Sequence, residues 1–160
     1  MNLNKFTQKA QEAVLAAQEL AEERNHSQVE PLHLLSALVA QKDGVVPQIL
    51  NRIGANGHLL SERIEAVLNG LPRAVGTTTQ VAISREMANI VRSAEREASK
   101  MKDDFVSTEH LFLALVDVAG KIRHLSPLSE AGINRDDVLQ ALTGIRGGQR
   151  VTGPNPESTY

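Results

Sequence analysis

Five histidines and two pairs of adjacent acids are the residues through which this chain could do chemistry: His26, His33, His58, His110 and His124, with Glu22-Glu23 and Asp103-Asp104. Histidine titrates near neutrality and ligates metals, and two carboxylates of unequal pKa can divide acid and base work. The spacing assembles neither device. Adjacent residues on a helix point away from each other, so the acid pairs read as solvated loop or surface groups. Only His33 and His110 recur in matching surroundings, each in the first turn of an apolar stretch, before Leu34 and Leu111. Two such rings could share a metal. No carboxylate or cysteine completes the ligand set, so the pattern favours structural histidines bonded to a neighbouring backbone or capping group. Phosphate-binding and nucleophile motifs are missing: Gly120-Lys121 is followed by Ile122, and no G-x-G-x-x-G, H-E-x-x-H or G-x-S-x-G occurs. With no cysteine, disulfides and thiolate catalysis are excluded. The chain is expected to be non-catalytic, with no cofactor and no metal of its own.

The elements that must position these residues belong to an ordinary globular chain. Its 160 residues are 41% apolar and 22% charged, with 17 basic against 19 acidic side chains and a formal charge of −2. A generic basic nucleic-acid binder is ruled out. No run approaches the roughly 18 apolar residues of a membrane span, and the Met1–Lys9 stretch is too polar for a signal peptide. No nucleic acid and no membrane is expected as a partner, and a cytoplasmic location is. Aromatics are limited to Phe6, Phe105, Phe112 and Tyr160. The core must then be aliphatic and Ala-rich, which favours packed helices over a sheet.

The chain repeats itself. Placing His33 on His110, 77 positions on, lays Val29–Leu38 over Val106–Leu115 and Thr7, Ala13, Ala17 and Ala21 over Ser84, Ile90, Ala94 and Ala98. One inserted residue later, Leu50, Gly54 and Asn56 fall on Leu128, Gly132 and Asn134. Each half reads as four helices, opened by Thr7 or Ser84 as N-cap. The second helix opens at Glu30-Pro31 in one half and behind Ser107 or Thr108 in the other. Gly54 and Gly132 fit left-handed C-terminal caps, and Asn56 and Asn134 cap the helices that follow. Apolar positions keep a helical period, while Arg92, Glu95, Arg96, Glu97 and Lys100 read as a solvated face. The fold class expected is all-α: a duplicated four-helix repeat packed as one pseudo-two-fold domain of about eight helices. Its span is 1–146, with repeat 1 about 3–69, a Pro-, Gly- and Thr-rich connection at 70–83, and repeat 2 about 84–146. Residues 147–160 have no apolar period and read as a linker towards an absent module.

Phe6-Thr-Gln-Lys-Ala-Gln, Glu30-Pro-Leu-His-Leu-Leu-Ser-Ala-Leu and Val106-Ser-Thr-Glu-His-Leu-Phe-Leu-Ala-Leu resemble the Clp N-terminal (Clp repeat) domain family. Within it, Asn69-Gly-Leu-Pro72, Arg146-Gly-Gly-Gln-Arg-Val and Glu157-Ser-Thr-Tyr160 resemble the ClpB-like disaggregase branch. The resemblance implies a parent that is a homohexameric AAA+ ATPase using ATP and magnesium and working with the DnaK chaperone system. This chain would be its monomeric, non-catalytic N-domain, binding unfolded or aggregated polypeptide and passing it to the ring. The alternative is an adaptor- or substrate-docking N-domain of a ClpC- or ClpA-like protease ATPase. Matched to the family motif, the polypeptide-binding candidates are Thr7, Asp103 and Glu109. Met87 and Ile90 join them because Ser93, Glu97 and His110 depart from the family's apolar groove wall. An exposed apolar groove between the repeats is expected to take the client.

Overall fold

The computed structural model describes residues 2–74, 81–158 and 160. Among them each half builds four α-helices: α1 (Gln8–Glu23), α2 (Pro31–Ala40), α3 (Val45–Arg52) and α4 (Gly57–Gly70), then α5 (Arg85–Lys100), α6 (Thr108–Val118), α7 (Ser126–Glu130) and α8 (Arg135–Arg146). The capping oxygens do what their types dictate. Thr7 accepts the Ala10 amide at 3.2 Å and Ser84 the Met87 amide at 3.0 Å. Asn56 and Asn134 accept from Leu59 and Asp137 at 3.0 and 2.9 Å. Gly54 and Gly132 sit at φ +76° and +72°, where a Cβ would be strained. Two further left-handed residues, Asn25 and Lys102, also lie 77 positions apart, just past α1 and α5.

α2 and α6 form the centre. Leu32, Leu34, Leu35 and Leu38 on one and Leu111, Phe112, Leu113 and Leu115 on the other are wholly buried. A helix apolar on every side must be covered on every side. α1 covers α2 and α5 covers α6, and their small residues at the contact, Ala13 and Ala17 or Ala94 and Ala98, let the axes approach closely. α6 then packs against both α2 and α3, so the halves share one core. Truncating any of these leucines to Ala would cost about 2–5 kcal/mol.

The halves also interlock through backbone pairing. β1 (Gln28–Val29) lies parallel to β2 (Ala82–Ile83), with Val29 opposite Ile83. Phe6 makes the equivalent parallel bridge to Val106, which is the same pairing moved by the repeat offset. The flanking bonds match too: the Thr7 amide donates to the Val106 carbonyl at 2.9 Å and the Ser84 amide to the Val29 carbonyl at 3.0 Å. Each half thus lends the segment before its first helix to the segment before the other half's second helix. Two-residue strands are too short to show alternation in a sequence, so only helices were expected here.

Three expectations need correction. Glu97 is not on a solvated face. It is buried, and Arg135 at the start of α8 forms a two-pronged pair with it, one arm at 2.8 Å, while also reaching Asp117 at 2.8 Å. The hydrogen bond from Arg135 holds the Glu97 carboxyl below its usual range, against the opposing effect of burial. Asp103, read as a solvated loop acid, is buried as well. The 147–160 stretch is not a free tether along its whole length. Val151 is fully buried, and its carbonyl accepts the Asp104 amide at 2.7 Å. Of the 70–83 connection, residues 75–80 lie outside the described residues; Ala74 is tied to the Asn25 carbonyl at 2.7 Å. Among the described residues no helix is long and apolar enough to cross a membrane.

Candidate functional site

The two halves differ most where side chains are polar. His33 and His110 both accept a backbone amide at Nδ1, from Glu30 and Ser107, each at 2.8 Å. That bond fixes the tautomer and aims the Nε2 proton the other way. In the first half Nε2 of His33 meets His26 Nδ1 at 2.8 Å. Burial pushes the His33 pKa down to about 4 and the neighbouring His26 adds to it, so this pair is neutral. In the second half the position equivalent to His26 is Asp103, and His110 Nε2 donates to its Oδ2 at 2.7 Å. A second exchange adjoins the first. Leu32 and Leu68 of repeat 1 correspond to Glu109 and Arg146 of repeat 2. Where one half has two leucines, the other has a buried ion pair with Nη2–Oε2 at 2.8 Å.

Around that pair a network closes. Arg146 Nη1 donates to Asp103 Oδ2 at 3.0 Å, and Asp103 Oδ1 accepts the Val151 amide at 2.9 Å. The Tyr160 hydroxyl donates to Glu109 Oε2 at 2.8 Å, and its ring lies 5.8 Å from the Arg146 guanidinium carbon. Glu157, on the 3-10 turn Pro156–Ser158, lies where α1 and α6 begin. Its Oε2 accepts from the Thr7 hydroxyl at 3.1 Å and from the Thr108 amide and hydroxyl at 3.4 Å. The Gln8 amide donates to the Pro154 carbonyl at 2.7 Å. Two helix N-termini thereby converge on one carboxylate and the turn before it.

The electrostatics are uneven. Burial works to raise the Asp103 and Glu109 pKa values. Hydrogen bonding from His110 and the Val151 amide, with the Arg146 charge, outweighs it for Asp103. The Arg146 charge and its hydrogen bond outweigh it for Glu109. Both carboxyls stay below their usual range. Glu157 is the opposite case: burial and the nearby Glu109 charge push it up to about 7. Its Oε1 and that of Glu109 find no hydrogen-bond partner among the described residues. A buried polar atom left so costs about 1–3 kcal/mol, which offsets part of what the tail's hydrogen bonds contribute.

A family model described as the Clp repeat (R) N-terminal domain matches residues 5–127. The chain belongs to that family. The ClpB chaperone protein of Bacillus cereus is 35% identical over 163 aligned positions, covering 100% of this chain and 19% of the relative. This Clp repeat domain therefore spans about a fifth of the length of the curated relatives it matches. Among solved structures, the Hsp104 N-terminal domain from Candida albicans superposes with TM-score 0.84 at 22% identity, covering 96% of this chain and 99% of that one. A ClpV N-domain in complex with a VipB peptide superposes at 0.72 with 21% identity, covering 92% of each chain.

In this Clp repeat domain the polar candidates Thr7, Asp103 and Glu109 are gathered into one cluster, all buried. Met87 and Ile90 are elsewhere: both are core residues, because α5 turns its apolar stripe onto α6, and as folded they face no groove. His110, expected at a groove wall, is fully buried against Asp103. The apolar valley expected at the seam is also not present in that form. Among the described residues the large hydrophobic side chains that stand exposed are Leu15 on α1 and Leu59 on α4. A cleft of about 270 Å³ between the halves is lined by Ala55, Leu59, Leu60, Pro127 and Ala131 with Arg63 and Glu130, while the cleft beside the polar cluster carries mostly charged and amide side chains. The latter, of about 480 Å³, is lined by Gln8, Lys9, Glu12, Asp43 and the tail. Arg146, Glu157 and Tyr160 were not singled out from sequence as site residues. Arg146 carried a readable signal, a charge where the repeat places a core leucine; the tail residues have no counterpart in the other half to compare.

Proposed function

We propose that this chain is the non-catalytic, polypeptide-binding N-terminal unit of a ClpB-type AAA+ chaperone, delivering unfolded or aggregated protein to an ATPase ring elsewhere in the parent. The observation that carries the reading is the cluster at the seam. Thr7, Asp103 and Glu109, on three different segments, each hydrogen-bond directly to a short irregular stretch of polypeptide. Hydroxyls, helix-terminal amides and an anchored Glu109–Arg146 pair read main chain and short polar groups without demanding one sequence. A weak site suits a unit that must release what it holds, and six copies on a homohexamer would compensate by effective concentration. ATP, magnesium and the DnaK system belong to the proposed parent, and the cytoplasm to its proposed location.

The test is titration of the isotope-labelled 160-residue chain with a permanently unfolded protein, reduced and carboxymethylated lactalbumin, followed by NMR. Weak, saturable shifts at Thr7, Thr108 and Glu109, reduced several-fold by Glu109→Gln, are expected, with no ATP turnover. Absence of binding at millimolar ligand, or steady ATP hydrolysis by the chain, would overturn the reading. A second reading, docking of one defined partner peptide as in an adaptor-binding ClpC- or ClpA-like N-domain, is favoured by the ClpV N-domain solved with a VipB peptide. It predicts that lactalbumin leaves the spectrum unchanged while a peptide from one defined partner shifts it.

A further inference from the structure

The seam cluster is already occupied. Pro154, Glu157 and Tyr160 contact it from the chain's own tail, with a backbone carbonyl on the α1 amide of Gln8, a carboxylate on Thr7 and Thr108, and a phenol on Glu109. We propose that the tail, through Pro154, Glu157 and Tyr160, is a built-in occupant of the polypeptide site. Partners that enter it carry an acidic residue followed three positions on by an aromatic hydroxyl, and must displace the tail to do so. This rests on the polypeptide-binding reading above and adds what the site selects and what regulates it.

Three observations point the same way. Two of the residues the tail touches, Thr7 and Glu109, are ones the family resemblance implicates in polypeptide contact. Two fully or nearly buried carboxylates, Glu109 and Glu157, each keep one oxygen unpartnered among the described residues, so the docked tail satisfies the site incompletely and another segment can compete. Finally, the equivalent place in the first half, at the start of α2, holds a cavity of about 190 Å³ lined by Glu30, Pro31, Leu32, Glu86 and the 121–124 loop. The fold therefore does not need a strand of chain there in order to close.

The occupant's effect follows from competition. A tail docked nine-tenths of the time lowers the apparent affinity of any competitor about tenfold. The experiment keeps the full chain and loosens only the tail, with Glu157→Ala plus Tyr160→Ala, and with Tyr160→Phe as the mild variant that removes one hydroxyl. The probe is a fluorescein-labelled peptide of residues 153–160. It is expected to bind the double variant about tenfold more tightly than the unaltered chain, with Tyr160→Phe between, and a peptide lacking the Glu and Tyr side chains is expected not to bind. In the unaltered chain, adding unlabelled peptide should move the Glu157 and Tyr160 amide signals to random-coil positions, a readout that needs no variant to fold. Equal peptide affinity for all three chains, or tail amides that keep their docked shifts at saturating peptide, would overturn the inference. The two readings part on lactalbumin: peptide binding that lactalbumin cannot compete sinks the client function and leaves the tail as occupant, while lactalbumin binding indifferent to the tail variants does the reverse.

Discussion

At the scale of single residues, the decisive feature is a buried ion pair standing where the symmetric half has leucines. Glu109 is wholly buried and the Arg146 side chain is 9% exposed. Such pairs rarely add net stability over apolar residues of like volume, yet breaking one leaves an uncompensated charge. Arg146→Leu alone is therefore expected to cost about 3–5 kcal/mol. The double change Glu109→Leu, Arg146→Leu, which copies Leu32 and Leu68, is expected to be neutral or stabilising by about 1–4 kcal/mol, read by urea denaturation. The same double variant should lose affinity for unfolded polypeptide. A double variant that binds as well as the parent would show that the pair has no part in recognition. Three departures from the repeat, Asp103 for His26, Glu109 for Leu32 and Arg146 for Leu68, fall in one place. That made much of the site legible by comparing the halves. Asp103 and Glu109 follow from family likeness and Arg146 does not, while Met87 and Ile90, offered in place of a groove wall that Ser93, Glu97 and His110 interrupt, belong to the core.

At the scale of elements, helices and caps were readable because their signals are local: Thr7 and Ser84, Asn56 and Asn134, Gly54 and Gly132 each settle a helix boundary within a few residues. The pairings of Phe6 with Val106 and Val29 with Ile83 were not, since nothing in two residues advertises a partner far along the chain. The tail was misread for a related reason. It is held by isolated polar contacts rather than by a periodic apolar face, and periodicity is what sequence displays. Those contacts make its docking respond to pH. Glu157 titrates at about 7 when docked and near 4.3 when free. Between these values the docked form holds a proton that the free form has released. Docking is thus strongest below about pH 4.3 and weakens as pH rises through 7. The groups facing it are Glu109, Arg146, Tyr160, Asp103 and His110 within the cluster and Lys9, Glu12 and Asp43 beside it. The tail's docked population, followed by the Tyr160 amide signal, is expected to fall by up to a hundredfold in equilibrium constant between pH 5 and 8. In Glu157→Gln the dependence should vanish; a slope that persists there would place the titrating group elsewhere.

At the scale of the whole molecule, the two halves cannot be separated without breaking both. Each lends backbone to the other, and the leucine faces of α2 and α6 share one core. A lone repeat of this size would leave those faces in water. Residues 2–74 expressed alone are expected to show little helix by circular dichroism, while the full chain melts in one transition. A cooperative melt from the first half by itself would contradict this. The same crossing sets a schedule for birth. Phe6 finds its backbone partner at Val106, so a newborn chain must wait for a hundred more residues, roughly 5–20 s of synthesis at ribosomal speed. Until then α2 has α1 beside it but lacks the face that α6 will cover. A unit we infer to greet loosened chains begins its own life as one, and its first need for a chaperone arises before its own fold is finished.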